Sequence, residues 1–325
     1  MKILFAGTPE PAAVSLEFLA NDDRFDVVGV LTQPDAPRGR GRKLRPSHVA
    51  DVAERLEIPV HKFPSLKATA EEAQDVRDTL RNYRDQGVEA VAVVAYGNLI
   101  PADLLDEFTH GWINLHFSLL PRWRGAAPVQ AAIAAGDPVT GASTFRIEKG
   151  LDTGPVVDTL TREIGIEDSA DDLLTTLAME GRQLLADSLW ALHRGTASPA
   201  PQDEQKATHA AKLTPQDARI SWDSPAQHVQ RSARAHTPAP GPWTLLDGRR
   251  YKIGLLLPVS DEDAPELAAG QIWASKKAVL VGTADKPLKI TQIQPPGKKM
   301  MDATAWARGQ QGLLESGARF DEEES

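Results

Sequence analysis

Over residues 1–150 the chain alternates short apolar runs with segments of helical period. Ile3 to Ala6, Val27 to Leu31, Ile58 to Val60, Ala90 to Ala95 and Ile113 to His116 read as strands. Between them, Val14, Leu16, Phe18 and Leu19 suit a helix beginning near Pro9-Glu10-Pro11. Val49, Val52, Ala53 and Leu56 share one face of a helix that Ser47 can cap. Residues 71–86 read as a polar surface helix. Strands alternating with helices lead to parallel pairing, and strands apolar along their length need helices on both faces. The expectation is an α/β fold with a doubly wound, mostly parallel sheet. Ligands of such sheets bind beyond the carboxyl ends of the strands, so chemistry is sought where an apolar run ends.

The texture changes further along. Leu173 to Leu192 keeps helical spacing, and the Pro- and Ala-containing stretch from Gly195 to Asp203 marks a linker. Trp243 to Leu246, Tyr251 to Leu257, Gln271 to Ala274, Val279 to Val281 and Leu288 to Ile293 are short strand-like runs. Asp247-Gly248, Pro258, Gly282 and Asp285-Lys286-Pro287 punctuate them. That pattern suits a small antiparallel β-barrel or sandwich with a helix near 224–235. The expected division is a first domain over 1–195, a linker over 196–210, a barrel domain over 211–312 and a disordered acidic tail over 313–325.

Composition removes several chemistries. With no cysteine, the chain has no disulfide, thiol nucleophile, cysteine-ligated zinc or iron–sulfur cluster. Its 36 basic against 45 acidic residues leave a net charge of −9, so any nucleic-acid contact requires a local basic patch. The first apolar run breaks at Thr8-Pro9-Glu10, too soon for a signal peptide, and no run approaches the ~20 apolar residues that span a bilayer. A soluble, cytoplasmic protein without membrane contact is expected. Gly7-Thr8-Pro9-Glu10-Pro11 stands where a dinucleotide fingerprint would, but lacks its glycines. Walker A, H-E-x-x-H and G-x-S-x-G patterns are also absent, and no metal is called for.

Asn114 and His116 stand two apart at the end of an apolar run. Period two puts both side chains on one face, where an amide and an imidazole can donate hydrogen bonds to one oxyanion. The bland alternative is a pair of satisfied polar groups in a strand-to-loop turn. Asp152 lies in a loop bracketed by Gly150 and Gly154, glycines that let backbone approach a ligand closely. By itself such an aspartate is usually a turn residue. Arg38, Arg40, Arg42, Lys43 and Arg45 crowd one short loop, against the acidic balance of the whole chain. Read alone, that cluster is a solvated charge run.

In combination, Asn114, His116 within H-x-S-L-L-P-x-x-x-G, and Asp152 within G-L-D-T-G resemble the folate-dependent formyltransferases. Further stretches narrow the resemblance to members that act on a charged initiator tRNA. These are Ile3 to Pro9, Gln33-Pro34-Asp35 before the basic loop, Ala207-Thr208-His209-Ala210 with Lys212-Leu213, Asp217 to Trp222, and Gln294-Pro295-Pro296-Gly297-Lys298-Lys299. The resemblance runs from residue 2 to about residue 312. His209 departs from it, since tyrosine is expected there.

The resemblance implies a Rossmann-like formyltransferase domain, a C-terminal OB-like barrel and a monomer. It implies 10-formyltetrahydrofolate as formyl donor and the charged initiator tRNA as acceptor, for translation initiation. A neutral amine attacks the formyl carbon directly, so no covalent enzyme intermediate is needed. Asn114 and His116 would hold the oxyanion, and Asp152 would orient a water or the imidazole and assist proton transfer. Ser118, Leu119, Leu120 and Pro121 resemble the folate-contacting loop. Val94, Ala95, Tyr96 and Gly97 would offer backbone groups to the pteridine. Leu119 and Leu120 can equally be core, which is compatible with an apolar folate pocket. The basic loop would enter the tRNA acceptor stem, Arg40 best matching the recognition arginine. Lys298 and Lys299 would add a second basic point, and Lys206, Lys212 and Arg219 a path between. Competing readings are a formyltransferase acting on a nucleotide-linked amino sugar and a non-catalytic tRNA-binding module. A glycinamide ribonucleotide enzyme would need only the first domain.

Overall fold

The computed structural model describes residues 1–38, 43–260, 265–315 and 317–321, without the side chains of Arg38, Leu313 and Glu315. Two compact units emerge. The first comprises Met1–Pro128, Val139–Glu163 and Leu174–Ala210, and the second comprises Val129–Pro138, Ile164–Leu173 and the chain from Ala211 onward.

In chain order the elements begin with β1 (Lys2–Gly7), α1 (Glu10–Ala20), β2 (Asp26–Thr32), β3 (Ala36–Arg38), β4 (Lys43–Arg45), α2 (His48–Arg55), β5 (Val60–Lys62) and α3 (Ala73–Asp85). They continue with β6 (Ala90–Val94), β7 (Gly111–His116), β8 (Arg124–Gly125), α4 (Pro128–Ala135), β9 (Val139–Arg146), β10 (Val156–Glu163), α5 (Ala170–His193) and β11 (His209–Ala210).

A seven-stranded sheet in the order β10-β9-β7-β6-β1-β2-β5 organises the first unit. Its β1, β2, β5, β6 and β7 pair in parallel, as the alternation requires. All five residues of β6 are buried, which explains its uninterrupted apolar run. Gly7 pairs with Val94, and Val93 with Asn114, so the three central strands end together. Thr8 Oγ1 donates to the Tyr96 carbonyl at 2.8 Å and ties two of those ends. Ser47 caps α2, its hydroxyl accepting from Ala50 N at 3.0 Å.

Three expectations shift. The strand near Ile58 to Val60 runs instead over Val60–Lys62. Ile58 N still bonds back to Ala53 in α2, and Pro59 has no N–H for a ladder. The helix read as polar carries a buried stripe of Val76, Leu80 and Tyr83 at helical spacing. β9 and β10, which no apolar run announces, add an antiparallel edge to the sheet, β9 against β7 and β10 against β9.

The second unit continues with α6 (Ala226–Ala235), β12 (Trp243–Leu246), β13 (Arg249–Ile253), β14 (Leu256–Pro258), β15 (Ile272–Ala274) and β16 (Val279–Val281). It ends with β17 (Leu288–Ile290), β18 (Gln292–Gln294), β19 (Met301–Asp302), α7 (Ala303–Arg308) and α8 (Gln311–Glu315). Its strands form two four-stranded antiparallel sheets, β12-β13-β18-β19 and β14-β17-β16-β15. The runs from Tyr251 to Leu257 and from Leu288 to Ile293 each bend from one sheet into the other. The bends face each other: Gly254 N donates to the Gln292 carbonyl at 2.8 Å, and Thr291 N to the Leu255 carbonyl at 3.2 Å. Ile253, Leu256, Ile290 and Ile293 fill the common core with Trp222 and Trp306.

The described part of the acidic tail is packed rather than disordered. Phe320 is buried and stacks on Trp222 with ring centroids 5.5 Å apart. Leu245 N donates to Asp321 Oδ1 at 3.1 Å. Residues 322–325 lie outside the described residues. Among the described residues no helix is long and apolar enough to cross a membrane, and no cluster of three or more His, Cys, Asp or Glu could hold a metal ion.

Candidate active site

Asn114 and His116 close β7 on one face, with the buried Leu115 between them pointing the other way. His116 is 6% exposed and meets the Phe145 ring edge-on at 6.3 Å. Its Nε2 lies 2.9 Å from the Trp123 carbonyl. A carbonyl only accepts, so Nε2 carries the proton there. The other ring nitrogen, Nδ1, stands 3.7 Å from Asp152 Oδ2. Asn114 is partly exposed, and its amide makes no hydrogen bond among the described residues.

Asp152 adopts a left-handed backbone, φ +54°, and its Oδ2 accepts from Gly125 N at 2.8 Å. Gly125 has φ +117°, and a Cβ there would collide with the Ala210 carbonyl. Only glycine lets the chain turn so close to β11 and still aim its N–H at Asp152. The neighbouring loop glycines have a different reason from the one expected. A Cβ on Gly154 would strike the Arg146 carbonyl, and one on Gly150 would strike the Thr153 side chain. Gly150 lets the loop fold on its own Thr153, and Gly154 lets it pass close to the end of β9. Trp123 and Ala95 are also left-handed, at φ +63° and +45°. Three non-glycine residues in this costly region converge on one strand-end surface, as happens at functional sites.

Composition concealed a further set of residues. Arg124 is only 2% exposed and makes a two-pronged ion pair with Glu204, with Nη1–Oε2 at 2.9 Å and Nη2–Oε1 at 2.7 Å. Hydrogen bonding to Glu204 raises the Arg124 pKa further, and the same contact lowers that of Glu204. Gln202 Oε1 accepts from Arg124 Nε and Nη2, and Gln202 Nε2 donates to the Asp152 and Gly154 carbonyls. Thr208 also braces the loop, its Oγ1 accepting from Trp123 N at 2.9 Å and its carbonyl from Arg124 N at 2.9 Å. Arg124 stands inside the motif around His116. Gln202, Glu204 and Thr208 lie in the stretch read as linker, which here belongs to the first unit.

The remaining expected residues are placed as follows. Ser118 is fully buried, and its hydroxyl donates to the Arg122 carbonyl at 2.6 Å, so it shapes the loop from within. Ser143 Oγ donates to the Ser118 carbonyl and accepts from Leu120 N, pinning that loop to β9. Leu119, Leu120 and Pro121 are half-buried. Val94 is buried at the end of β6, whereas Ala95 and Gly97 are exposed. Tyr96 points into the core, where burial pushes its phenol up to about 12. Lys43 and Arg45 are exposed on β4, which pairs antiparallel with β3, Arg38 opposite Lys43. Arg40 and Arg42 lie outside the described residues. Lys298 and Lys299 are exposed in the turn between β18 and β19 of the second unit.

The chain is similar to known proteins over its whole length. Residues 1–189 match the family "Formyl transferase" and residues 212–311 match "Formyl transferase, C-terminal domain". A methionyl-tRNA formyltransferase of Corynebacterium jeikeium (strain K411) is 63% identical over 325 residues, covering 100% of this chain and 99% of that protein. One from Acidothermus cellulolyticus (strain ATCC 43068 / DSM 8971 / 11B) is 48% identical over 335 residues, covering 99% and 100%. Among solved structures, the sugar 3N-formyl transferase WlaRD shares the fold, with a TM-score of 0.64 at 16% identity over 92% of this chain and 99% of its own. An N-formyltransferase from Helicobacter canadensis gives 0.63 at 17% identity, covering 89% and 98%. With both domains matched and its whole length aligned at such identity, the chain belongs to the formyltransferase family, in its methionyl-tRNA branch.

Proposed function

We propose that the chain transfers the formyl group of 10-formyltetrahydrofolate to the α-amine of methionyl initiator tRNA, in the cytoplasm and as a monomer. The observation that carries this reading is Asn114, His116 and Asp152 gathered at the strand ends of a chain 63% identical to a methionyl-tRNA formyltransferase. The donor supplies a formyl carbon bonded to N10. The amine nitrogen bonds to that carbon, the bond to N10 breaks, and one proton passes from the amine to N10.

The free amide of Asn114 serves as a donor to the oxyanion that develops on the formyl oxygen. His116 is held by Nε2–H on the Trp123 carbonyl, which leaves Nδ1 as the nitrogen that addresses the reacting groups. Asp152 faces that Nδ1 and shares in moving the proton. Leu119, Leu120 and Pro121 form the apolar wall toward the folate, and the exposed backbone at Ala95 and Gly97 meets the pteridine. Ser118 supports that wall from behind. Arg38, Arg40, Arg42, Lys43 and Arg45 engage the tRNA acceptor end, and Lys298 and Lys299 its backbone. The catalytic domain extends to Ala210, because Thr208 and Ala210 bond to the loop that follows Pro121.

The test is formyl transfer from 10-formyltetrahydrofolate to charged initiator tRNA, run beside a nucleotide-linked amino sugar. Formylation of the tRNA and not of the sugar is expected. The reverse outcome overturns the reading.

A further inference from the structure

We infer that Gln202 is a positioning residue for Asp152, with Arg124 and Glu204 holding it in place. The inference rests on the reading that Asp152 takes part in the transfer. Gln202 uses its whole amide. Its two N–H groups donate to the carbonyls of Asp152 at 2.7 Å and Gly154 at 2.8 Å. Its oxygen accepts from Arg124 Nε at 3.0 Å and Nη2 at 2.9 Å. Carbonyls only accept and a guanidinium only donates, so the amide has one possible orientation.

The two carbonyls it grips flank Thr153, directly after the left-handed Asp152. Fixing both fixes the backbone from which the Asp152 carboxylate projects. From there Oδ2 reaches Gly125 N at 2.8 Å and faces His116 Nδ1 at 3.7 Å. Gly125 immediately follows Arg124, so one buried residue joins both sides of the contact. It reaches the Asp152 loop through Gln202 and the Gly125 N–H through its own backbone. Glu204 takes one N–H each from Nη1 and Nη2 with its two carboxylate oxygens, which holds the guanidinium against Gln202. A residue in a left-handed conformation stays there only while its surroundings over-determine it.

Gln202→Glu isolates this role. It preserves the shape and the acceptor for Arg124, but turns a donor into an oxygen facing two carbonyl oxygens. A fall in kcat of about tenfold to a hundredfold is expected, the range a misplacement near 1 Å produces. KM for folate and for tRNA should stay within about threefold, since the Gln202 amide spends its hydrogen bonds on protein groups. Gln202→Met, which removes both sets of hydrogen bonds without adding charge, should give the smaller reduction of the two. In an Asp152→Asn background, Gln202→Glu should cost nothing further, because the group it positions is already disabled.

Unchanged kcat in Gln202→Glu overturns the inference. So does an equal fold-reduction in both backgrounds, which would mean that Gln202 acts independently of Asp152. Loss of the folded state in both Gln202 variants also overturns it, because the amide would then hold the domain and not the carboxylate. Wild-type turnover by Asp152→Asn is a separate result, and sinks the assignment of Asp152 itself.

Discussion

His116 Nδ1 stands 3.7 Å from Asp152 Oδ2, although the two residues come from different elements, a sheet strand and a glycine-bracketed loop. Each is oriented by the backbone of the segment after Pro121. The Trp123 carbonyl takes His116 Nε2–H, and the Gly125 N–H takes the aspartate oxygen. A three-residue stretch therefore sets the relative geometry of the proposed acid–base pair.

Removing any member of the proposed trio should reduce turnover and leave the fold intact. Asn114→Ala should lower kcat by about 10²–10³, the usual effect of losing one oxyanion donor, and His116→Ala by about 10²–10⁴, the usual effect of losing a general acid or base. Asp152→Asn should be comparably slow while folate still binds, because the amide keeps the shape and loses the charge. Steady-state kinetics beside folate titration checks this. Near-wild-type turnover in Asn114→Ala or His116→Ala would remove that residue from the mechanism.

Gly125→Ala should damage stability and activity together. The added methyl group meets the Ala210 carbonyl at a backbone conformation of φ +117°. A destabilisation of about 1–3 kcal/mol is expected from denaturant melts, in line with the cost of a side chain forced into such a conformation. Relief of the clash moves Gly125 N away from Asp152, so kcat should fall by more than the folded fraction does. Melts that superimpose on wild type would show that the turn has room to spare.

The basic loop should supply tRNA affinity and discrimination rather than chemistry. Replacing Arg38, Arg40 and Arg42 should flatten the salt dependence of tRNA binding by roughly 0.7–0.9 in log–log slope for each phosphate left without its cation. Folate binding should not change. Identical slopes, with an unchanged preference for initiator over elongator tRNA, would refute the role.

His61 should make stability depend on pH. Burial depresses its pKa below the ordinary 6.5, against a weaker opposing pull from Asp75. It bonds to the Tyr83 hydroxyl at 2.9 Å and stacks on Phe63. The unfolded chain takes up the proton near pH 6.5, and the folded chain only at lower pH. The contribution is therefore complete above pH 6.5 and is lost as the pH falls toward the folded value. Between about pH 7.5 and pH 5.5, Tm should drop further in the wild type than in His61→Gln. His110, also depressed by burial, should retain part of the drop in that variant. Parallel Tm profiles would show that His61 does not titrate differently on folding.

Short-range pattern determined much of this molecule. A short apolar run with no polar interruption, such as Ala90 to Val94, suits a strand covered on both faces, and it sits at the middle of the sheet. Period two put Asn114 and His116 on one face without reference to any distant residue. The motif around His116 and the glycine-bracketed Asp152 were legible for the same reason, because each lies within one short stretch. Tertiary structure alone decided the rest. β9, with its small and polar residues, is a strand because β7 and β10 flank it, and no local preference announces it. Phe320, close to an acidic end, is buried because Trp222 offers a ring to stack on. Gln202 reads as linker by composition, yet it bonds to a carbonyl 50 residues away and to a guanidinium 78 residues away. Hydrogen-bond partners at such separations leave no periodicity in the chain. Only the folded backbone, which brings β8, β11 and the Asp152 loop together, reveals what orients the carboxylate.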